Sequence, residues 1–246
     1  MSRPTLDRTK ALGMIERRLF LRQTLSLGAL TLLTGCDISD GDQVQKALRA
    51  VSRWNDRAQA FLFSDQRLAP TFKESDVVQD FRYNSYYPED EAPKLAAADY
   101  RLQLSGLIQD KRPWTVDQIQ ALPQESQITR HICVEGWSVI GKWSGPRFSR
   151  FLQQIGADLT AKYVGFECAD GYYGSIDMAT ALHPQTIMAV KFADQTIPTK
   201  FGFPFKVRIP TKLGFKNPKW VTTIYVTNRY PSGFWEDRDY NWFSGS

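Results

Sequence analysis

The chain has 246 residues, 42% hydrophobic and 13% aromatic, a globular composition with enough apolar side chain to build a core. Its net charge of +5 is concentrated near the start: residues 1–35 hold +4, and beyond them 25 basic residues face 24 acidic ones. That balance excludes the electrostatic footprint of a nucleic-acid-binding protein, and no nucleic acid is expected as a partner.

In chain order, Glu16-Arg17-Arg18-Leu19-Phe20-Leu21-Arg22 precedes the apolar run Leu25–Leu33 and then Thr34-Gly35-Cys36. A charged start, a short apolar stretch and small residues before a cleavage point form a bacterial export signal. The apolar run is far short of the roughly 20 residues that span a bilayer as a helix. The paired arginines resemble a twin-arginine signal, although Glu16 stands where Ser or Thr is usual, and Leu33–Cys36 resembles a lipoprotein cleavage box. Residues 1–35 are therefore read as a removable signal. The mature protein is expected on the periplasmic side of a bacterial membrane, lipid-anchored at Cys36. An amphipathic helix of the mature fold and an ordinary leader thiol are the plainer alternatives. Twin-arginine export carries folded proteins, often around a cofactor inserted beforehand, which points to a prosthetic group.

Residues 36–80 read as a tether and one helix. Asp37–Asp42 is polar and turn-forming; from Val44 the residues Leu48, Val51, Trp54, Ala58, Phe61 and Leu62 recur at helical spacing up to about Phe63, and their face is expected to pack. From Phe81 short β-type runs take over: Tyr100–Leu104, Ile128–Cys133, Tyr163–Cys168, Thr186–Phe192, Phe205–Ile209 and Val221–Val226, separated by Gly, Pro and Asn. Helical patterns are few, at Val116–Ala121, Phe148–Ile155 and Met178–Leu182. The reading is one α+β domain over 81–246, with mixed β-sheets and few helices.

Within that domain the thiols are Cys133 and Cys168 and the imidazoles His131 and His183. No Cys-x-x-Cys pair and no Cys-x-x-Cys-His segment occurs, which argues against a structural zinc and against covalent haem in this chain. Cys133 sits in Arg130-His131-Ile132-Cys133-Val134-Glu135-Gly136-Trp137. It reads either as a buried strand cysteine, as half of a disulfide with Cys168, as a nucleophile with a His base, or as a single thiolate ligand to a transition metal whose other donors come from an organic cofactor. Lys206-Val207-Arg208-Ile209-Pro210-Thr211-Lys212-Leu213-Gly214-Phe215-Lys216-Asn217-Pro218-Lys219 offers basic groups beside Gly and Asn turns. It reads either as an anion cradle or as a solvated basic strand and loop.

The combined pattern decides between these. Cys133-Val134-Glu135-Gly136-Trp137-Ser138, Tyr163-Val164-Gly165-Phe166-Glu167, Ala181-Leu182-His183-Pro184-Gln185-Thr186-Ile187-Met188, and Gly202-Phe203-Pro204 through Gly214-Phe215-Lys216 resemble the molybdopterin-binding domain of the sulfite oxidase family. The resemblance runs from about Phe81 to Phe243 in consistent order, and the nearest branch is that of the periplasmic protein-methionine-sulfoxide reductase catalytic subunits. It implies an α+β fold holding one molybdenum on a single pyranopterin dithiolene without a nucleotide, plus one cysteine thiolate.

Carried over residue by residue, the resemblance makes Cys133 the molybdenum ligand and puts Asn84, Tyr87 and Pro88 against the pterin. Cys168 falls where the reductase branch has threonine, with a contact from its backbone. Lys206 replaces an arginine in the phosphate-binding pattern, keeping the charge and losing the bidentate fork. Phe201 stands where relatives have Asn or His. Asn217, Pro218 and Lys219 match the final pterin-binding loop. Trp235-Glu236-Asp237-Arg238-Asp239-Tyr240 resembles the tail whose tyrosine faces the metal's oxygen, so Tyr240 is expected to position or protonate that oxygen. His131 is expected only to support Cys133, and His183 to be structural.

The implied chemistry is oxygen-atom transfer. Sulfite oxidases place an arginine just before the residue corresponding to Asn84; here it is Tyr83, with Arg82 adjacent. The chain also stops at Ser246, without the immunoglobulin-like dimerisation domain found in sulfite oxidases. Both departures favour a small sulfoxide or N-oxide, or oxidised methionine in proteins, reduced by a monomer with electrons from a membrane haem or quinol-linked subunit. A sulfite dehydrogenase is the alternative, and a metal-free lipoprotein binding module is the alternative of another class.

Overall fold

The computed structural model describes residues 42–62 and 67–245. The expected signal over 1–35 and the anchor Cys36 lie outside the described residues. The chain divides into two compact units, residues 1–52 and 53–246. Of the first, the described part is the opening of helix α1 (Asp42–Leu62). Among the described residues no helix is long and apolar enough to cross a membrane.

Helix α1 forms where the apolar spacing predicts it, and Ala58 on its expected face is half-buried. In the second unit Trp54, Phe61 and Leu62 are exposed, while Asp56 accepts a hydrogen bond of 2.7 Å from the Phe243 amide. Helical periodicity reports that a face is apolar and says nothing of what covers it.

The second unit is a mixed assembly of three sheets with few helices. One sheet has the order β1 (Gln103–Gly106), β10 (Val221–Thr227), β4 (Tyr163–Cys168), β5 (Tyr173–Asp177), with β1 parallel to β10 and the remaining pairs antiparallel. A Cβ on Gly165 would lie 2.1 Å from the ring of its cross-strand partner Tyr225, so the bare glycine lets that ring lie flat across β4. The second sheet pairs β2 (Gln124–Ile132) with β3 (Ser138–Pro146), then β7 (Lys191–Phe192) and β8 (Gln195–Thr196). The third pairs β6 (Ile187–Ala189) with β9 (Lys206–Arg208). A Cβ on Gly145 would lie 1.9 Å from the Met188 carbonyl oxygen, which shows how closely β3 crosses β6.

Three short helices pack on this frame: α2 (Val116–Gln120), begun by a capping box between Thr115 and Gln118; α3 (Phe148–Gln154); and α4 (Met178–Leu182), capped by Asp177. Each falls where its sequence pattern puts it. The main apolar core lies between these helices and the first sheet. A second cluster gathers Phe81, Trp143, Ile187, Ala189, Phe192, Ile197 and Phe201.

Differences from the sequence reading concern strands. Strands β3 and β5 lack a strand signal in the sequence, because Gly141, Lys142 and Gly145 in the one and Gly174 and Ser175 in the other interrupt the apolar alternation. The run Thr186–Phe192 divides into β6 and β7, which belong to different sheets. Strand β2 ends at Ile132, one residue before the thiol it was expected to carry.

Candidate cofactor pocket

The long β2–β3 hairpin pairs Gln124 with Pro146 at one end and Ile132 with Ser138 at the other, so residues 133–137 form its tip. There the Cys133 amide donates to the Trp137 carbonyl (2.9 Å) and the Gly136 amide to the Cys133 carbonyl (3.1 Å), with Gly136 at φ 88°. This turn sets the Cys133 thiol, 6% exposed, in the wall of a cavity that opens to solvent at its mouth. Burial is the main influence pushing the thiol's pKa above its ordinary value. The Glu135 carboxylate accepts from Trp137 Nε1 at 2.8 Å and lies 3.8 Å from the Cys133 sulfur.

Asn84 connects this thiol to an imidazole. Its Nδ2 donates to His131 Nε2 at 2.8 Å, and its Oδ1 lies 4.0 Å from Cys133 Sγ. Burial first, then the charges of Lys206, Arg208 and Lys219, hold the His131 pKa well below the ordinary value; the ring is therefore neutral and can accept. A Cβ on Gly214 would fall 2.6 Å from His131 Nε2 and 2.8 Å from Asn84 Nδ2. The loop before Lys216 thus comes this close only because position 214 has no side chain.

The basic segment is buried rather than solvated. Lys206 on β9 is 4% exposed, lines the cavity and rests against the Trp143 ring at 4.8 Å; it has no acidic partner among the described residues. Lys219 donates to the Asn84 carbonyl at 2.5 Å and sits against Trp220 at 4.2 Å. Gly202, at φ 113°, lets the two lysine backbones approach, since a Cβ there would lie 2.9 Å from Lys219 Cβ and 3.2 Å from Lys206 Cβ. Arg208 is fully buried behind them, donating to Asn217 Oδ1 (2.9 Å) and to the Arg130 carbonyl (2.7 Å). Burial depresses all three cations; Lys206 is lowered further by the charges of Lys219 and Arg208, and Lys219 is brought to about 7. Asp170 offsets part of this charge at Lys219, while no carboxylate counters Lys206, so an anion placed against the two lysines would be stabilised.

Among the proposed site residues, Asn84, Cys133, Lys206, Asn217, Pro218, Lys219 and Tyr240 all line this one cavity. Tyr87 stands behind its wall, donating to Asp170 Oδ2 at 2.8 Å. Pro88 caps the 3-10 turn Glu89–Glu91 and is not in the lining. Cys168 is buried in the main core on β4, and both it and Cys133 are free thiols, so the disulfide alternative fails. Phe201 belongs to the second apolar cluster, edge-on to Phe81 at 5.3 Å and to Phe192 at 4.8 Å. His183 is structural: its Nδ1 accepts from the Gln185 amide at 3.2 Å.

The remaining wall was not legible as such. Tyr86, the β4–β5 turn with Asp170 and Tyr172, Phe215 and Trp235 come from four separate segments. Phe215 and Trp235 lie in segments that carry the family resemblance, whereas Tyr86 shows only as part of an aromatic cluster and Asp170 and Tyr172 have no signal of their own.

One thiol beside buried cations, of which Lys206 has no acidic partner among the described residues, fits an anionic organic cofactor that carries a thiolate-binding transition metal. Asn84 and Asn217 add polar groups beside them. Cys133 would donate to the metal; Lys206 and Lys219, backed by Arg208, would hold a phosphate.

Residues 89–235 match the family described as the oxidoreductase molybdopterin binding domain. A protein of Azospira oryzae, provisionally named protein-methionine-sulfoxide reductase subunit YedZ1, is 55% identical over 240 residues, 98% of this chain and 92% of that protein. The mitochondrial sulfite oxidase of Drosophila melanogaster is 33% identical over 182 residues, 63% of this chain and 32% of its own length. The protein-methionine-sulfoxide reductase catalytic subunit MsrP of Burkholderia mallei is 27% identical over 194 residues, covering 68% and 59%. Among solved structures, the sulfane dehydrogenase SoxCD of Paracoccus pantotrophus superposes with a TM-score of 0.53 at 18% identity, over 56% of this chain and 40% of that one, a likeness of fold.

Proposed function

The chain belongs to the oxidoreductase molybdopterin-binding domain family, and on that premise we propose that it reduces sulfoxides, methionine sulfoxide in proteins foremost. The enzyme is a molybdopterin oxidoreductase of the methionine-sulfoxide-reductase type. The observation that carries the proposal is the cavity itself, where the buried thiol of Cys133 lies in one wall with Lys206 and Lys219.

When bound, the molybdenum–pterin group supplies two-electron oxygen-atom transfer. The balance is sulfoxide plus two electrons and two protons giving sulfide and water. Cys133 serves as the metal's protein ligand. Lys206 and Lys219 bind the cofactor's phosphate, with Arg208 and Asn217 bracing the loop that presents them. Tyr240, at the mouth, donates a hydrogen bond to the substrate's oxygen. Tyr86, Phe215 and Trp235 give the wall an apolar surface that excludes water from the reacting bond.

The substrate's charge separates this reading from sulfite oxidation. With Lys206 and Lys219 taken up by the cofactor's phosphate in this reading, Glu135 and Asp170 are the charged groups left in the lining, and two carboxylates oppose a dianion such as sulfite while leaving a neutral sulfoxide indifferent. Their presence with the aromatic wall supports a neutral, partly apolar substrate. The reading includes export to the periplasm, a lipid anchor at Cys36, and electrons from a membrane haem or quinol-linked subunit.

Steady-state kinetics of the purified holoenzyme test the proposal, with methionine sulfoxide, free and in a peptide, compared with sulfite. Turnover of the sulfoxide with reduced dye, and none of sulfite with an oxidant, is the expected result. Preferential sulfite oxidation would replace this reading with the dehydrogenase.

A further inference from the structure

Two segments of the cavity wall, far apart in sequence, are joined beneath it by a buried ion pair. Lys216 ends the 3-10 turn Gly214–Lys216, and Glu236 begins the 3-10 turn Glu236–Arg238. The Lys216 ammonium contacts Glu236 Oε1, and each side chain is 2% exposed. Burial depresses the lysine and the carboxylate opposes that shift. The ammonium also lies 5.2 Å from the centre of the Trp242 ring.

Glu236 Oε2 has no hydrogen-bond partner among the described residues. A Cβ on Gly233 would lie 2.2 Å from that oxygen, so position 233 leaves room for the inward-turned carboxylate. A carboxylate held in this way has one engagement, which is with Lys216.

The neighbours in sequence give the pair its significance. Phe215 precedes Lys216, Trp235 precedes Glu236, and both line the cavity. Tyr240 packs between them, 5.9 Å from Phe215 and 5.0 Å from Trp235 by ring centres. Further along, the Leu213 amide donates to the Ser244 carbonyl at 3.0 Å, and Lys212 bridges to Gly245. The tail is thus attached to the 212–216 segment on both sides of Tyr240, by backbone after it and by the ion pair before it.

We propose that Glu236 and Lys216 are positioning residues: their buried pair fixes the turn that places Tyr240 at the cavity mouth, and it acts on the reaction through Tyr240. Loss of the pair frees the wall on one side only. The kinetic consequence rests on the sulfoxide-reductase reading above; the structural one does not.

The test uses full-length protein and the variant Glu236→Gln. Amide hydrogen exchange should speed up at least about tenfold for Asp237, Arg238 and Tyr240, whose amides are bonded within the turn, while exchange in β4 and β10 stays at the parent's rate. In holoenzyme of equal molybdenum content, kcat/KM for methionine sulfoxide should fall about tenfold. The same substitution made in a Tyr240→Phe background should cost less than about twofold further, since residues acting as a unit are non-additive. Should E236Q fail to fold with Lys216 left unpaired, the double variant K216M/E236Q, which buries no lone charge, is measured for the same exchange rates. Unchanged exchange at 237–240, or full additivity with Y240F, overturns the proposal. A parent that turns over no sulfoxide would instead defeat the functional reading and leave the exchange result to decide the latch.

Discussion

Asn84 and His131 are joined by a 2.8 Å hydrogen bond in which the amide nitrogen donates to the imidazole, and this turns the amide oxygen toward the Cys133 sulfur at 4.0 Å. The thiol therefore stands beside a polar group whose orientation is set by a buried neutral ring. Gly214 closes over that bond without a side chain.

From this closeness it follows that Gly214→Ala pushes a methyl group into the Asn84–His131 contact. Overpacking of this kind costs about 1–3 kcal/mol. The denaturant midpoint should fall accordingly, and molybdenum content per chain should drop with it. A variant with the parent's midpoint and full metal content would show that the contact tolerates displacement.

A polar substitution at Phe201 should also lower stability but spare the cofactor. The resemblance implies Asn or His at this position, yet this phenylalanine packs against Phe81 and Phe192. Phe201→Asn should lower stability by about 2–4 kcal/mol through the lost ring and an unsatisfied amide, while the fraction that folds retains its cofactor. Improved cofactor retention in that variant would assign position 201 to the pterin after all.

How far the sequence reveals this architecture depends on whether its signals are local. Helices α2, α3 and α4 are legible because apolar spacing and, at Thr115 and Asp177, capping residues sit within one short window. Strand β4 matches its apolar run from Tyr163 to Cys168. Strand β3 escaped because Gly141 and Gly145 are small to admit the Phe81 ring and the Met188 backbone, which is a tertiary requirement. At the site, Cys133 and the basic residues carry chemistry that can be named from the chain. Tyr86, Asp170 and Phe215 become neighbours only through folding, and the burial of Lys206, Lys212 and Lys216 could not be foreseen from a run of charges.

The depressed pKa of Lys219 gives a pH signature. Its amine is brought to about 7 in the folded protein, chiefly by burial, from an ordinary value of 10.5. Between pH 7 and 10.5 the unfolded chain holds a proton that the folded one lacks, so stability from this group rises with pH across that window; below 7 its burial penalty is present in full. Unfolding of cofactor-free parent and of Lys219→Met, followed from pH 6 to pH 10, should show the parent gaining relative to the variant. Sulfate, which needs the ammonium form, should bind the parent more weakly as pH rises above 7, by up to about tenfold per pH unit for this one proton, with a flatter dependence in the variant. Parallel profiles would remove Lys219 from the anion site.

Tyr240→Phe removes one hydroxyl from the mouth and keeps the ring that packs on Phe215 and Trp235. The expected effect is a fall in kcat of about a hundredfold or more, as befits a lost proton donor, with unchanged molybdenum content and thermal midpoint. Parent-like kcat would leave Tyr240 as a packing residue.

The central claim is that one sulfur, Cys133, anchors a molybdenum–pterin group in this cavity. Its most direct test is the molybdenum and pterin content of parent and Cys133→Ser protein purified from a host that makes the cofactor. The account predicts close to stoichiometric metal in the parent, and loss of both metal and turnover in a variant whose circular dichroism and thermal midpoint stay near the parent's. A metal-free, colourless parent, or a serine variant that keeps its molybdenum and its activity, would contradict it.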